Sequence, residues 1–331
     1  FTITCQTCIE YIENDEQFPA GLEDEVAEHR AALEQTMGKR LGDSVDPLLV
    51  SVRSGAPISM PGMMDTVLNL GLSDIAVEGL ARQTGNERFA YDSYRRFIQM
   101  FSDVVLGVEK DLFENAITAL KQTRGVESDT DLTADDLKEL VGQFKEIVGK
   151  EVSVEEFPLL AEEGKVGFPQ DHDVQLKLAI EAVFGSWNKK SARDYRALYR
   201  IPDTLGTAVN VQAMVFGNKG DSSATGVAFT RDPATGEKEH YGDFLVDAQG
   251  EDVVAGIRVT QPIAELVEVL PEAGAELDRV MDLLEEHYKE MCDIEFTIER
   301  EQLWMLQTRT GKRTARAALK IAADMVDEGL I

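Results

Sequence analysis

Residues 293–309, DIEFTIEREQLWMLQTR, constrain the fold of this chain more than any other stretch. Every second residue from Ile294 to Ile298 is apolar, and a second alternating run extends from Leu303 to Arg309. Alternation with a period of two places successive side chains on opposite faces of a strand. The pattern therefore predicts two strands joined by a tight turn, with one apolar and one polar face.

A loop at residues 300–302 would set three opposed pairs across this hairpin: Glu299–Leu303, Glu295–Gln307 and Asp293–Arg309. Acids, an amide and an arginine would then share one face. Mg²⁺ prefers carboxylate and amide oxygens, and phosphate is bound well by the arginine fork. The face therefore suits a magnesium–polyphosphate complex, while an exposed face with cross-strand ion pairs remains the alternative.

Length and composition limit the classes of protein that the chain can represent. A length of 331 residues predicts two or three subdomains, and an apolar content of 43% is ample for their cores. The 61 acidic against 33 basic residues give a net charge of −28, which excludes nucleic-acid binding by bulk charge. The chain has no apolar run of about 18 residues, so no membrane span is predicted.

The first residues and the cysteines bear on the compartment. The chain begins at Phe1 inside a strand-like run, FTITC, so we expect a fragment from which an organelle-targeting segment could be missing. Cys5 and Cys8 have CxxC spacing, but no second pair completes a zinc site. We interpret them as ordinary thiols of a reducing cytoplasm, with a redox role as the alternative, and Cys292 as a packing residue.

The first half of the chain combines a strand, a loop and a helical region. Residues 48–53 are β-branched and apolar, and they would deliver Arg53 to a Gly-, Pro- and Met-rich loop at 54–66. This arrangement suits phosphate binding, although a surface arginine before a flexible turn is equally consistent. Residues 73–150 are typical of helices, with a capping-box pattern at Thr133 that starts a helix reaching about Val148.

The second half begins with a predicted hairpin. A strand at 208–216, a Gly/Ser/Thr loop at 217–226 and a strand at 227–230 could bring backbone N–H groups close to phosphates. It is not a Walker A loop, because GxxxxGK[ST] does not occur, and a plain turn is the alternative. Further predictions are a strand at 244–249 and helices at 263–291 and 314–328.

No catalytic residue is predicted within the chain. The histidines lie on polar helix faces, at a helix start or in a turn: His29, His172, His240 and His287. There is no nucleophile elbow and no kinase HRD or DFG set.

Residues 51–72, SVRSGAPISMPGMMDTVLNLGL, closely resemble the signature of the pyruvate, phosphate dikinase family. Further segments resemble the same family in the same order: FAYDSYRRFIQMFSDVV, GTAVNVQAMVFGNKG, GVAFTRDPATGEK, DAQGEDVVAG and EFTIE…LWMLQTRTGKRTA. The resemblance covers essentially the whole chain, and the MPGMMDT run favours this family over phosphoenolpyruvate synthase. The region resembled is the N-terminal nucleotide-binding domain, an α+β ATP-grasp fold with a helical insert.

The resemblance implies a division into subdomains. Residues 1–72 and 167–216 would form the first ATP-grasp subdomain, whose glycine-rich start with an ATP-contacting lysine is absent before Phe1. Residues 73–166 would be the helical insert, and residues 217–331 the second subdomain with the metal–phosphate hairpin.

The implied activity is phosphoryl transfer. The family interconverts ATP, phosphate and pyruvate with AMP, pyrophosphate and phosphoenolpyruvate, through a histidine on a central domain and a C-terminal pyruvate barrel. Both domains are absent from this sequence, so we expect nucleotide binding without net turnover. The implied partners are ATP, phosphate, those two domains and, at full length, a second subunit in a homodimer, with no nucleic acid or membrane.

The resemblance also assigns site residues. It implies ATP binding by Arg53, Arg96, Gln212, Met214, Gly226, Glu251, Asp252 and Arg309. It implies Mg²⁺ binding by Asp293, Glu295 and Gln307. Phosphoryl transfer depends on charge neutralisation and positioning, which arginine forks and a divalent ion supply. The sequence departs from the family at Glu301, where glycine is expected in the hairpin turn.

Two other functions compete with this interpretation. One is a stand-alone nucleotide-binding or regulatory module without turnover. The other is an acidic interaction protein that binds no small ligand, whose thermal stability Mg-ATP would leave unchanged.

Overall fold

The computed structural model describes residues 1–58, 60, 62–162, 165–254 and 258–331, without the side chains of residues 161, 162, 165, 251 and 254. The chain divides into two compact units, Phe1–Met214 and Val215–Ile331. The finer division into 1–72 with 167–216, 73–166 and 217–331 stays a prediction. Among the helices of these ranges, none combines the length and the apolar character needed to cross a membrane.

The first unit contains short and long strands: β1 (Thr2–Ile3), β2 (Arg40–Leu41), β3 (Pro47–Leu48), β4 (Val50–Gly55), β5 (Thr66–Leu70), β6 (Ala161–Glu162), β7 (Lys165–Val166) and β8 (Ala208–Ala213). Its helices are α1 (Cys5–Glu13), α2 (Leu22–Met37), α3 (Asp74–Thr84), α4 (Glu87–Val104), α5 (Lys110–Arg124), α6 (Ala134–Glu151), α7 (His172–Ser186) and α8 (Lys190–Tyr199). Single 3₁₀ turns occur at Asp129–Asp131, Pro158–Leu160 and Asp203–Leu205.

The main sheet of this unit is antiparallel, in the order β1-β8-β4-β5. Val50 and Val52 of β4 are buried, as is Val211 of β8, because these β-branched side chains face the core between sheet and helices. Helix α7 packs on β4, β5 and β8, and α1 packs on β8.

The helical region predicted for residues 73–150 is confirmed as helices α3 to α6. Helix α4 packs against α3, α5 and α6, and the rings of Phe113 and Phe144 meet edge to face with centroids 4.9 Å apart. The capping box at Thr133 is also confirmed, since its hydroxyl accepts from the backbone N–H of Asp136, whose carboxylate accepts from that of Thr133. This reciprocal pair satisfies N–H groups that a helix start leaves unbonded.

The second unit contains the strands β9 (Ala224–Phe229), β10 (Tyr241–Val246), β11 (Gln261–Pro262), β12 (Cys292–Glu299) and β13 (Gln302–Thr310). Its helices are α9 (Gly250–Val254), α10 (Leu266–Val269), α11 (Pro271–Tyr288) and α12 (Ala315–Asp327), with a 3₁₀ turn at Ile263–Glu265. The strands form an antiparallel sheet in the order β11-β10-β9-β12-β13. Its core is apolar and includes Phe244, Leu277, Met281, Ile294, Phe296 and Ile298.

Several predicted element bounds are wrong. The strand predicted at 208–216 ends at Ala213, and the one predicted at 244–249 spans Tyr241–Val246. The helix predicted at 263–291 is divided into α10 and α11, because Pro271 at the start of α11 has no N–H group to continue a hydrogen-bond ladder.

Strand β9 begins before the predicted end of the Gly/Ser/Thr loop. Gly226 therefore lies within the strand, paired with Phe244 on one side and Phe296 on the other. A Cβ atom on Gly226 would meet the ring of Phe296 at 2.6 Å. Glycine has a low strand propensity, so the sequence predicts Gly226 in the loop, yet this close packing requires a residue without a Cβ atom.

The cysteines are free thiols, and Cys8 and Cys292 are buried. Burial raises the pKa of each of the thiols Cys5, Cys8 and Cys292, which favours their protonated form. Cys292 belongs to the core of the second unit, which confirms its interpretation as a packing residue.

Candidate functional site

The predicted hairpin is formed by β12 and β13. Asp293 lies opposite Arg309 and Glu295 lies opposite Gln307, which confirms these two predicted pairs. Because residues directly opposite in an antiparallel pair share a face, these four polar side chains lie on the same face of the sheet. The other face of β12 carries Ile294, Phe296 and Ile298, all fully buried.

The turn of the hairpin differs from the prediction. It contains Arg300 and Glu301 only, and Glu299 pairs with Gln302 rather than with Leu303. Both turn residues have positive φ, 50° for Arg300 and 68° for Glu301. Two such residues are characteristic of a type I′ turn, whose twist matches that of the strands it connects.

A β-bulge restores the predicted register further along the hairpin. The register shifts between Glu295 and Phe296, so that Phe296 lies opposite Met305 and Glu295 lies opposite Gln307, with Leu306 as the extra residue. A bulge inserts one residue into one strand of a pair. The shorter turn and the bulge therefore compensate for each other.

The bulge also decides which side chains reach the polar face. The prediction that Leu303 lies opposite Glu299 on this face is wrong, because Leu303 packs against the apolar core, as does Met305. Leu303 lies opposite Ile298 and Met305 opposite Phe296, so both follow their buried partners. Beyond Leu306, Gln307 and Arg309 lie on the face of Asp293 and Glu295, whereas Thr308 lies opposite the buried Ile294.

Arg309 joins the two acids of this face. Its Nη2 lies 2.9 Å from Glu295 Oε1 and 3.2 Å from Asp293 Oδ2. Between 19% and 26% of each of the three side chains is exposed, so the cluster is only partly open to solvent. The Arg309 Nε atom is buried and has no hydrogen-bond partner among the described residues. The two carboxylates thus orient the guanidinium, but they do not engage all of its N–H groups.

A further cation beside Asp293 and Glu295 would be electrostatically favourable. Burial raises the pKa of Asp293 above its ordinary value, although the guanidinium of Arg309 acts in the opposite direction. A carboxylate in this condition gains stability from any further positive charge placed beside it.

The donor chemistry of the face fits a hard divalent cation. Asp293 and Glu295 supply carboxylate oxygens, and Gln307 supplies an amide oxygen opposite Glu295. In the described part of the chain, no group of three or more His, Cys, Asp or Glu residues is arranged to hold a metal alone. Mg²⁺ is commonly held by one or two carboxylates, with water and phosphate completing its shell. The residues present therefore fit Mg²⁺ bound together with a phosphate ligand.

The remaining predicted residues of the second unit lie on other elements. Gly226 is in the middle of β9, and Asp252 is in α9, where its Oδ2 accepts from the backbone N–H of Gln249 at 3.0 Å. The side chain of Glu251 lies outside the described part of the structure. The nucleotide contacts assigned to these three residues stay predictions.

The predicted residues of the first unit lie on its sheet and on α4. Arg53 is in β4, opposite Thr66 of β5 and Asn210 of β8. Gln212 lies in β8, and Met214, just past the strand end, donates its backbone N–H to the carbonyl of Leu49 at 2.8 Å.

Arg96 is held by an acid that the sequence reasoning missed. Its Nε donates to Asp92 Oδ2 at 3.0 Å, while Arg95 donates to Asp92 Oδ1 at 2.8 and 3.0 Å. Burial acts to raise the pKa of Asp92, but the attraction of the two arginines outweighs it and the pKa is lowered. The spacing of an acid three and four residues before two arginines on one helix was the available signal.

The expectation of an α+β ATP-grasp fold is confirmed, and the chain is a nucleotide-binding domain of that type. A family model described as "Pyruvate phosphate dikinase, AMP/ATP-binding domain" matches residues 6–265 and 263–330. The chain therefore belongs to the pyruvate, phosphate dikinase family, as the resemblance implied.

Curated relatives carry the same family name. Pyruvate, phosphate dikinase of Clostridium symbiosum is 55% identical over 331 residues, which are 100% of this chain and 37% of the relative. Pyruvate, phosphate dikinase 1, chloroplastic, of Zea mays is 53% identical over 331 residues, 100% of this chain and 34% of that protein. Pyruvate, phosphate dikinase of Rhizobium meliloti (strain 1021) is 53% identical over an aligned length of 342 residues, gaps included, which covers 100% of this chain and 37% of that protein. The chain thus spans about a third of the length of these relatives.

Proposed function

We propose that this chain binds ATP with Mg²⁺ and serves as the nucleotide-binding part of a phosphotransferase. The reaction of the whole protein would interconvert ATP, phosphate and pyruvate with AMP, pyrophosphate and phosphoenolpyruvate. The observation that carries the proposal is the hairpin face on which Asp293 and Glu295 orient Arg309 opposite the amide of Gln307.

The residues of this face have distinct roles in the proposal. Arg309 would bind phosphate oxygens with the guanidinium N–H groups that its two carboxylates do not engage. Asp293, Glu295 and Gln307 would hold the cation. The cation held by these residues would supply neutralisation of phosphate charge, which is a large part of what phosphoryl transfer requires.

Other residues are proposed by the family resemblance. Arg53 and Arg96 would bind phosphates, and Gln212 with Met214 would lie beside adenine. Gly226, Glu251 and Asp252 would contact the nucleotide.

The proposed partners lie beyond the nucleotide. A histidine domain would accept the phosphoryl group, a pyruvate domain would receive it from there, and the whole protein would act as a homodimer. We propose the cytoplasm as its compartment, while the similar Zea mays protein is named chloroplastic.

A Mg-ATP titration of the melting temperature tests the proposed site. Glu295→Gln and Gln307→Ala should each raise the Mg²⁺ concentration that half-maximally stabilises the ATP-bound protein, by about tenfold for Glu295→Gln. Both variants should melt near the wild type without ligand, because the two side chains lie on the polar face of the hairpin and outside its apolar core. Glu276→Gln, which removes an exposed ion pair with Arg279, is the matched control. Identical Mg²⁺ midpoints for the wild type and all variants would refute the site.

A further inference from the structure

The loop between β8 and β9 is fastened to the hairpin turn by a single carboxylate. We call residues 217–223, GNKGDSS, the glycine-rich loop. Glu299 Oε2 accepts the backbone N–H of Phe216 at 2.8 Å, and Glu299 Oε1 lies 2.5 Å from Lys219 Nζ. One side chain therefore holds the start of the loop through the backbone and its middle through a charge.

The turn adds two backbone contacts to the far end of the same loop. The N–H of Glu301 donates to the carbonyl of Ser222 at 2.8 Å, and the N–H of Arg300 donates to Ser223 Oγ at 3.1 Å. Both donors belong to the turn residues, which have positive φ. The hairpin therefore contacts the glycine-rich loop at its start, in its middle and at its far end.

The Glu299–Lys219 ion pair is partly buried, which strengthens its effect on the loop. The side chain of Lys219 is 12% exposed and that of Glu299 is 21% exposed. The Lys219 ammonium also lies 4.8 Å from the ring centroid of Phe216. Screening by water is reduced in such a position, so the pair restrains the loop more strongly than a surface ion pair would.

Glu299 stands on the same strand as the proposed cation ligands. By the alternation of β12 it shares the polar face of Asp293 and Glu295, and it lies four residues, about 13 Å, beyond Glu295. The loop is therefore fixed to the same strand, and to the same face of it, as the proposed cation ligands.

We propose that Glu299 is a positioning residue that sets the glycine-rich loop against the phosphate groups of Mg-ATP. The inference rests on the proposed function of the hairpin face and adds a residue to which that function assigns no role. Glu299 acts through Phe216 and Lys219 and does not itself touch the nucleotide. Its effect should therefore fall on ligands with a polyphosphate chain and spare AMP.

Isothermal titration of Mg-ATP and of AMP tests the inference on residues 1–331. Glu299→Gln should weaken Mg-ATP binding about tenfold and AMP binding less than about twofold, because a neutral amide no longer attracts Lys219. Hydrogen exchange of the ligand-free variant should accelerate in residues 217–223 and stay unchanged in β12. Glu299→Asp, which keeps the charge, should recover part of the Mg-ATP affinity. Lys219→Met should add no further loss in the Glu299→Gln background, since both changes remove the same pair.

Glu290→Gln is the matched control. Glu290 also binds one backbone N–H, that of Met291 at 2.9 Å, and one cation, Arg313 at 2.8 Å, but at the opposite end of the hairpin. It should leave the ATP-to-AMP ratio of affinities unchanged. If Glu299→Gln does not fold, Lys219→Met must show the same selective loss. Wild-type protein that binds no Mg-ATP would overturn the proposed function together with this inference. Wild-type binding with equal binding by Glu299→Gln and Lys219→Met would overturn the inference alone.

Discussion

Arg231 and Glu285 form a guanidinium–carboxylate pair that solvent does not reach. Arg231 Nη2 lies 2.7 Å from Glu285 Oε1, and the two side chains are 0% and 7% exposed. Glu328 binds the same guanidinium at 2.8 Å, so one arginine joins the segment after β9 to α11 and to the end of α12. Thr230 adds its hydroxyl to Glu285 at 2.8 Å. This buried network ties the helices of the second unit to its sheet.

Removing one member of the pair should destabilise the protein strongly. Glu285→Ala should lower the free energy of unfolding by about 3–5 kcal/mol, because the buried Arg231 loses most of its compensation. Urea unfolding followed by circular dichroism measures the change. Glu276→Ala, which breaks the exposed pair with Arg279, should have little effect, and equal losses for the two variants would contradict the importance of burial.

Glu328 should make stability depend on pH in the acid range. Hydrogen bonds from Arg231 and Lys238 lower the pKa of Glu328 to about 2, well below its ordinary value of 4.5. The unfolded chain then binds more protons, so the stability that Glu328 contributes is complete above about pH 4.5 and is lost as the pH falls towards 2. Urea unfolding of wild type and Glu328→Gln should show a difference that shrinks across this window. A difference independent of pH would refute the assignment.

The hairpin turn should become more stable with glycine. Glu301 has φ 68°, a conformation that costs a residue with a Cβ atom about 1 kcal/mol and costs glycine little. Glu301→Gly should therefore raise the free energy of unfolding by about 0.5–1 kcal/mol, measured by urea unfolding. Glu301→Ala keeps the Cβ atom and should give no such gain. A loss of stability in the glycine variant would mean that the Glu301 side chain has contacts worth more than the strain.

Arg309 should compete with free Mg²⁺ for the two acids of the hairpin face. Arg309→Met leaves Asp293 and Glu295 without the cation that now lies within 3.2 Å of both. Without nucleotide, Mg²⁺ should therefore raise the melting temperature of the variant more than that of the wild type. Ca²⁺ should act in the same direction, whereas K⁺ at equal ionic strength should not, and equal responses to Mg²⁺ would count against a cation site here.

Alternation in the sequence was sufficient to predict the hairpin, its buried face and two of its pairs. It could not predict the turn, because nothing in REQ distinguishes two loop residues from three when the favoured glycine is absent. Nor does Leu306 differ in composition from an ordinary strand residue, so the bulge had no sequence signal. Counting from an incorrect loop still reached Glu295–Gln307, because the bulge supplied the missing residue.

Long-range ion pairs lay beyond sequence reasoning for another reason. Arg231 and Glu285 are 54 residues apart, and only the fold brings them together. Arg231 shortly precedes a turn at residues 233–235, yet its side chain is fully buried. The partners of Glu299 could not be predicted for the same reason, since they lie 80 and 83 residues away in the sequence and no periodic pattern connects them.

Leu306 gives the hairpin a position at which the chain can lose one residue and keep its pairing. Deleting it would leave a regular pairing with Gln307 still opposite Glu295, because Leu306 has no partner in the register. Deleting Thr308 would instead bring Arg309 opposite Ile294, on the side of the sheet that is fully buried. A deletion in β13 should therefore be tolerated at the bulge and should destabilise the sheet two residues further along.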